Sequence, residues 1–178
     1  QIEAGTAAGA DLIVIETMSD IYETKAALLA AKEHSTLPVL VSLTFDESGK
    51  LLTGADIPAA AAVVEGLGAN VIGLNCGLGP KQMLALLPQL RAACSLPIAV
   101  SANAGLPVVV EGQTCYLVEP EDFAADCRAL LRHHAGAYFR HGARLPRLYC
   151  RTAARAPAYA GRLLHPYRRA WPRPPHHR

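Results

Sequence analysis

Residues 71–80 read VIGLNCGLGP, and this stretch decides the fold prediction. It begins with four apolar residues, a run typical of a buried strand, and the run stops at Asn75 and Cys76. Two glycines follow, and Pro80 then stands at the expected first position of a helix. A cysteine where a strand opens into a glycine-containing turn lies where α/β sheets and barrels keep their chemistry. On position alone, Cys76 can equally be a small buried hydrophobic residue.

The strand–turn–helix pattern recurs about every thirty residues along the chain. No hairpin joins the main strands, which indicates consecutive right-handed βαβ units in a parallel sheet. A complete eight-stranded barrel needs about 250 residues, so the pattern predicts a small open sheet or the C-terminal half of a (β/α)8 TIM-type barrel. We favour the half barrel, with about strands four to eight. The predicted strands are 12–15, 38–45, 71–74, 97–101 and a candidate at 135–139, with helices at 21–34, 58–68, 81–94 and 119–132 and a short hairpin at 107–112.

Composition and termini limit the class of protein. The chain has 178 residues, 51% of them hydrophobic, which suits one domain with one core. No apolar run reaches the roughly eighteen residues of a membrane span, so no membrane partner is expected. The start has neither a leader pattern nor a methionine and resembles the interior of a longer protein. Five cysteines without close spacing argue for a reducing compartment, the cytoplasm.

Charge divides the chain in two. Residues 1–139 hold all fifteen acids and seven Lys and Arg, a net charge of −8, whereas residues 140–178 hold ten arginines and no acid, a net charge of +10. We therefore predict a folded α/β domain over 1–139 and a disordered basic tail over 140–178. The tail could bind nucleic acid. It could equally be a sequence that was never selected as protein.

Polar residues follow the predicted strands one after another. They are Glu16, Thr44, the pair Asn75 and Cys76, and Asn103. On a barrel all of these strand ends meet at one face. Glu16 can also be a helix-capping or surface acid, and Asn103 an ordinary turn residue. The remaining cysteines before the tail have no partner at metal-binding spacing and are taken as structural: Cys94, Cys115 and Cys127.

Residues 10–123 resemble the homocysteine-binding domain of homocysteine S-methyltransferases, most of all the first module of cobalamin-dependent methionine synthase. Several long motifs occur in the right order and at close spacing. They are ADLIVIETMSDIYETKAALLAAKE, LPVLVSLTFDESGKLLTGAD, GANVIGLNCGLGPKQMLALLPQL and VSANAGLPVVVEGQTCYLVEPEDFA, with AGAYF following them.

The resemblance implies a zinc-dependent (β/α)8 barrel that methylates the thiol of homocysteine to give methionine. In this family three cysteine thiolates hold the zinc and the substrate thiol takes the fourth place. Cys76 matches the first of these cysteines, and Glu16 matches the acid that holds the substrate amino group. Asn103 matches an asparagine beside the metal. Zinc would deprotonate the substrate thiol and so create the nucleophile.

The resemblance leaves the methyl donor open. Methylcobalamin and methyltetrahydrofolate, delivered through folate- and cobalamin-binding modules of a longer chain, are the first choice. A stand-alone enzyme that uses S-methylmethionine, or one fused to a methylenetetrahydrofolate reductase, is the alternative within the family.

The sequence departs from the family where the other two zinc ligands should stand. The family has Gly-Gly-Cys-Cys-Gly-Thr after strand eight, but residues 140–144 read RHGAR, and no Cys-Cys pair occurs in the chain. The only later cysteine is Cys150. We interpret the change at residue 140 as a frameshift and expect an impaired enzyme. The alternatives are a non-catalytic fragment with a nucleic-acid-binding tail, which we favour less, and a different α/β enzyme with Cys76 as a covalent nucleophile.

Overall fold

The computed structural model describes residues 1–105, 107–110, 113–116, 118–132 and 135–137. All of them lie in one compact unit, Gln1–His141. The helices described are α1 (Ile2–Ala7), α2 (Ile21–His34), α3 (Ile57–Gly66), α4 (Pro80–Ala93) and α5 (Pro120–Arg132). The strands described are β1 (Ile13–Met18), β2 (Val39–Leu43), β3 (Val71–Asn75), β4 (Ile98–Ser101), β5 (Pro107–Val110), β6 (Gln113–Tyr116) and β7 (Ala135–Ala137).

Five strands form one sheet in the order β1-β2-β3-β4-β7, and every neighbouring pair is parallel. The predicted α/β class and parallel sheet are therefore confirmed. The order in space follows the order in the chain, as in a barrel wall, whereas a doubly wound sheet reverses its order part-way. Within the described residues β1 and β7 are the two outer strands of this sheet. Barrel closure stays a prediction.

The hairpin predicted near residue 107 is present, with β5 and β6 antiparallel. Its second strand begins at Gln113, just beyond the predicted range. Helix α2 has the predicted bounds, and helix α1 was not predicted. The latter has six residues, none of them buried, so it leaves no apolar periodicity in the sequence. Of the candidate fifth strand, positions 138 and 139 lie outside the described residues, as do Cys150 and the whole predicted tail.

Helices begin where their capping residues stand. The carboxylate of Asp20 accepts a hydrogen bond from the Glu23 backbone N–H at 2.8 Å, which starts α2. At the start of α3, Asp56 accepts one from the Ala59 N–H at 3.0 Å. Pro80 is the first residue of α4, as predicted. These caps fix where each helix follows its strand, and so they fix the turns between them.

The two faces of the sheet differ in what packs against them. One face packs against the helices and includes Val41, Ile72 and Val100, each fully buried. A smaller cluster joins Leu40, Val71 and Ala99, which take the alternate positions on the same strands. Val14, at the matching position of β1, is 38% exposed. In a barrel this second face would line the interior.

None of the helices in the described ranges is long and apolar enough to cross a membrane.

Candidate functional site

The carboxyl ends of β1, β2 and β3 are tied together by hydrogen bonds around Asn75. Thr44 follows β2, and its backbone N–H donates to the Met18 carbonyl of β1 at 2.9 Å. The Thr44 hydroxyl donates to the Asn75 carbonyl of β3 at 3.1 Å. The Asn75 side-chain amide donates to the Thr17 hydroxyl oxygen at 2.5 Å. Three strand ends thus form one connected polar cluster, as expected for an α/β active-site edge.

The turn after β3 also contacts the end of β4. The Cys76 N–H donates to the Ser101 carbonyl at 3.3 Å, and the Asn103 N–H donates to the Leu78 carbonyl at 3.0 Å. The turns approach each other closely, because a Cβ atom on Gly79 would lie 3.7 Å from the Gly105 Cα. Asn103 is therefore held beside the turn that carries Cys76.

Cys76 lies in a turn with an unusual backbone. Its φ is 54° and that of Gly77 is 65°, so two successive residues adopt the left-handed conformation. A Cβ on Gly77 would meet the Thr44 Cγ2 at 3.2 Å, which is a second reason for glycine there. Cys76 is partly buried. Its sulfur lies 3.6 Å from the Asn75 Nδ2 and 3.9 Å from the Thr17 Oγ1.

Glu16 lies in β1, whereas the sequence analysis placed it just after the strand. The pairing of β1 with β2 is irregular between Ile15 and Met18, and Thr17 has a φ of 64°. The strand is longer than predicted because pairing resumes at Met18 after this irregularity. Glu16, Cys76 and Asn103 lie near the carboxyl ends of β1, β3 and β4, which share one edge of the parallel sheet. Their binding roles stay predictions.

Thr17 was missed by the sequence analysis, and Asn75 was noted only as part of a strand end. A threonine at the end of a strand is ordinary in composition, so no sequence signal indicates the contact with Cys76. Within the described residues, Thr17 and Cys76 are the only residues other than glycine with a positive φ. Such backbones cluster at functional sites.

The described residues do not fit a three-thiolate zinc site. Among them, no three His, Cys, Asp or Glu side chains are grouped so as to hold a metal ion. The sulfur of Cys76 has an amide and a hydroxyl as its neighbours, not a second thiol. The sequence contains no paired cysteines that could supply the two missing ligands.

Three other cysteines lie in described helices or strands, or directly beside them. Cys94 ends α4, and its thiol donates to the Leu90 carbonyl at 3.4 Å. Burial raises the pKa of the Cys94 thiol above its ordinary value. Cys127 is buried in α5, and Cys115 belongs to β6. The positions of Cys94 and Cys127 suit a structural role.

The sequence is similar to two mycobacterial methionine synthases. It is 39% identical over 121 residues to the protein of Mycobacterium leprae, and 38% identical over 121 residues to that of Mycobacterium tuberculosis. In both cases the match covers 65% of this chain and 10% of the relative. The chain thus spans about a tenth of the length of these relatives.

Solved structures support the fold. The homocysteine methyltransferase MmuM from Escherichia coli, in its apo form, superposes with a TM-score of 0.61 at 24% identity, over 78% of this chain and 47% of that one. The carboxyl transferase domain of Rhizobium etli pyruvate carboxylase gives a TM-score of 0.55 at 18% identity, over 78% of this chain and 22% of that one. At these identities the likeness shows the fold alone.

The family comparison covers most of the sequence. The family model described as homocysteine S-methyltransferase matches residues 1–145. The matched range includes the whole strand-end cluster described above. The chain therefore belongs to the homocysteine S-methyltransferase family.

Proposed function

We propose that the strand-end cluster is part of a site that binds homocysteine, whose thiol accepts a methyl group to give methionine. In that reaction the substrate sulfur forms a bond to the methyl carbon, the bond from methyl to donor breaks, and the thiol proton is lost. The observation that carries the proposal is the family match over residues 1–145, which includes Cys76 at the end of β3. The relatives named methionine synthase support the same substrate.

Each site residue has a chemical reason for its proposed role. Glu16 is a carboxylate at the edge where substrate would bind, and it would pair with the substrate ammonium group. A charge-assisted hydrogen bond of this kind orients a ligand as well as holding it. Asn103 would contact the substrate from the turn that follows β4. The hydrogen bond from its backbone to Leu78 holds it beside Cys76.

Zinc activation, which the family resemblance implies, is not supported by the described residues. Cys76 would be one ligand, and a catalytic zinc site with thiolates needs three protein ligands. We therefore propose no zinc-dependent step for this chain and expect its methyl-transfer activity to be impaired. The basic segment 140–178, where the family cysteines would follow, lies outside the described residues.

The relatives suggest a larger protein. The matched segment is 10% of each mycobacterial methionine synthase. We propose that the full protein also carries folate- and cobalamin-binding modules that supply the methyl group, with methylcobalamin as the immediate donor. We also propose a cytoplasmic location, because five cysteines without a disulfide pattern suit a reducing compartment.

Calorimetric titration of the purified chain with L-homocysteine tests the proposed site. We expect saturable binding, and we expect Glu16→Gln to weaken it about tenfold or more, the effect of losing a charge-assisted hydrogen bond of about 1.5–3 kcal/mol. Glu33→Gln is the matched control, since Glu33 is exposed near the far end of α2. It should bind homocysteine as the unaltered chain does.

Two results would count against this proposal. A folded chain that does not bind homocysteine at all would contradict the substrate. Equal weakening by Glu16→Gln and Glu33→Gln would contradict the assignment of Glu16. Methionine formed by the chain with methylcobalamin should stay undetectable with or without added zinc, and zinc-dependent turnover would contradict the incomplete site.

The frameshift interpretation has its own test. Resequencing the encoding DNA across codons 130–160, with translation in all three frames, should reveal Gly-Gly-Cys-Cys-Gly-Thr after codon 139 in a neighbouring frame. A DNA sequence without that motif in any frame would make the basic tail genuine. In that case steeply salt-dependent binding of nucleic acid would favour the nucleic-acid reading of the tail.

A further inference from the structure

We propose that Thr17 is a positioning residue for Glu16, and that the side-chain amide of Asn75 holds Thr17 in place. The inference rests on the proposed function, in which Glu16 pairs with the ammonium group of homocysteine. It adds that a β-bulge at the end of β1 sets the direction of the Glu16 side chain, and that a hydrogen bond from β3 stabilises this bulge. Thr17 thus acts through Glu16 and not on the substrate itself.

The pairing of β1 with β2 contains one extra residue on the β1 side. Strand β1 pairs with β2 up to Ile15 and again at Met18, whereas the two partner residues on β2 are only two positions apart. Two residues of β1, Glu16 and Thr17, therefore oppose one residue of β2. Two residues against one make a β-bulge, which commonly re-aims a side chain beside an active site.

The bulge separates the direction of Glu16 from the packing of the strand. Side chains of a regular strand alternate between the two faces, so a regular β1 would turn Thr17 toward the core and Met18 away from it. Instead, Ile15 and Met18 both belong to the helix-packed core. Between them Glu16 is half-buried and Thr17 is exposed. The extra residue thus keeps both core contacts and leaves Glu16 free of the regular register.

The bulge places Thr17 in a conformation that a β-branched residue seldom adopts. Its φ is 64°, in the left-handed region that favours glycine. Thr17 is exposed, so burial does not require a threonine at this position. A strained backbone persists only where the surrounding structure holds it. A contact made by the threonine side chain would serve this purpose.

Asn75 supplies such a contact. Its side-chain nitrogen donates to the Thr17 hydroxyl oxygen at 2.5 Å. Strand β2 lies between β1 and β3, so this hydrogen bond joins two strands that do not pair with each other. Asn75 is 2% exposed, and the Thr44 hydroxyl donates to its backbone carbonyl at 3.1 Å. The bulge of β1 is therefore anchored to the buried end of β3.

The position of Glu16 depends on this anchor because Glu16 and Thr17 form the bulge together. Groups that bind a ligand are kept within narrow limits by the residues that support them. A charge-assisted hydrogen bond to an ammonium group is directional, and a small misplacement of the carboxylate weakens it. We therefore expect loss of the Thr17 hydroxyl to weaken homocysteine binding, although the carboxylate of Glu16 is still present.

Calorimetric titration of the intact chain with L-homocysteine is the test. Thr17→Val removes the hydroxyl and keeps the β-branched shape, and we expect it to weaken binding about three- to tenfold, the equivalent of one hydrogen bond. Thr17→Ser keeps the hydroxyl and should bind within about twofold of the unaltered chain. Thr36→Val, in the exposed loop before β2, is the matched control and should not change binding. Unchanged binding in Thr17→Val, or equal weakening in Thr17→Val and Thr17→Ser, would overturn the inference.

A double-mutant cycle tests whether Thr17 acts through Glu16. Glu16→Ala leaves no carboxylate to be positioned, so the further change Thr17→Val should alter the affinity by less than about twofold. Ligand-observed NMR measures the weaker affinities of these two variants. If Thr17→Val weakens binding equally in the presence and absence of Glu16, the two residues act independently and the inference is wrong.

Urea denaturation followed by circular dichroism checks that each variant is folded. If Thr17→Val does not fold, Thr17→Ala replaces it with the same expected outcomes, because alanine enters the left-handed region with less strain than a β-branched residue. An unaltered chain that binds no homocysteine would contradict the proposed function and this inference together. Homocysteine binding that survives loss of the Thr17 hydroxyl would contradict this inference alone.

Discussion

The body and the end of β3 differ in polarity and in backbone conformation. The body, residues 71–74, is apolar, pairs with β2 along its whole length and with β4 from Ile72 onward, and is regular in register. The end has a buried amide oxygen without a partner in the described residues, followed by a cysteine with a positive φ. A strand under selection for stability alone would continue the first pattern. Departures of this kind from the pattern that stabilises a strand are typical of functional sites.

The largest effect should come from the body of the strand. Leu74 is 2% exposed in the helix-packed core, and Leu74→Ala should lower the free energy of unfolding by about 2–5 kcal/mol, through lost burial and a residual cavity. Urea denaturation followed by circular dichroism measures this. Leu52→Ala is the control, since Leu52 is 87% exposed and should change stability by less than about 0.5 kcal/mol. Similar effects of the two substitutions would contradict the assigned core.

The next effect concerns the close approach of strands at Gly73. A Cβ there would lie 3.1 Å from the Ala99 carbonyl oxygen and 3.1 Å from the Ser42 Cβ. Gly73→Ala should therefore destabilise the protein by about 1–3 kcal/mol through overpacking. Gly66→Ala, at the end of α3 with open space around it, should be neutral or slightly stabilising. A neutral Gly73→Ala would show that the strands separate easily.

The third substitution lies at a strand end, and we expect it to stabilise the protein, whereas the first two destabilise it. Thr17→Gly removes the strain of a β-branched residue with a positive φ and should raise the free energy of unfolding by about 1 kcal/mol. The same denaturation experiment measures it. Thr36→Gly, in the exposed loop before β2, should destabilise the protein slightly, because glycine gains unfolded-state entropy without relieving strain. Destabilisation by Thr17→Gly would mean that the hydrogen bond from Asn75 outweighs the strain.

The smallest expected effect is the loss of stability in acid that comes from Asp20, the residue that caps α2. The hydrogen bond from the Glu23 backbone N–H lowers the pKa of Asp20 below its ordinary value, as does one from Thr53. A lowered folded-state pKa gives stability above the unfolded-state value, about 3.9, that is lost as pH falls through the folded-state value. Between about pH 5 and pH 3, Asp20→Asn should therefore lose less stability than the unaltered chain, since asparagine caps without titrating. Equal losses in urea titrations at the two pH values would contradict the contribution of Asp20.

Much of the fold is readable from local sequence. Continuous apolar residues predict strands such as VIGL, and turn residues predict the helix that begins at Pro80. Helix α1 is not predicted in this way, because none of its residues is fully buried and it has no periodic apolar face. The length of β1 was also missed, since its last pair, Met18 with Leu43, follows an irregularity that only the pairing of two strands reveals.

The candidate site was predicted in part. That Glu16, Cys76 and Asn103 would meet at one edge follows from parallel strands, whose carboxyl ends share an edge. The partners of the Cys76 sulfur could not be predicted in the same way. Thr17 reaches it across 59 positions of sequence, through a backbone conformation that threonine seldom adopts.

By itself, the sequence determined the parallel α/β fold, the family, and the lack of a cysteine pair for zinc, because strand periodicity, long motifs and residue identity are local properties of the chain. Tertiary structure alone decided that Asn75 donates to Thr17 and Cys76, and that its own oxygen has no hydrogen-bond partner among the described residues. It also decided that Thr17 and Cys76 adopt strained backbones where they meet. Hydrogen-bond partners across strands depend on register and on the closeness of two chain segments, and these are set by the packing of the whole sheet.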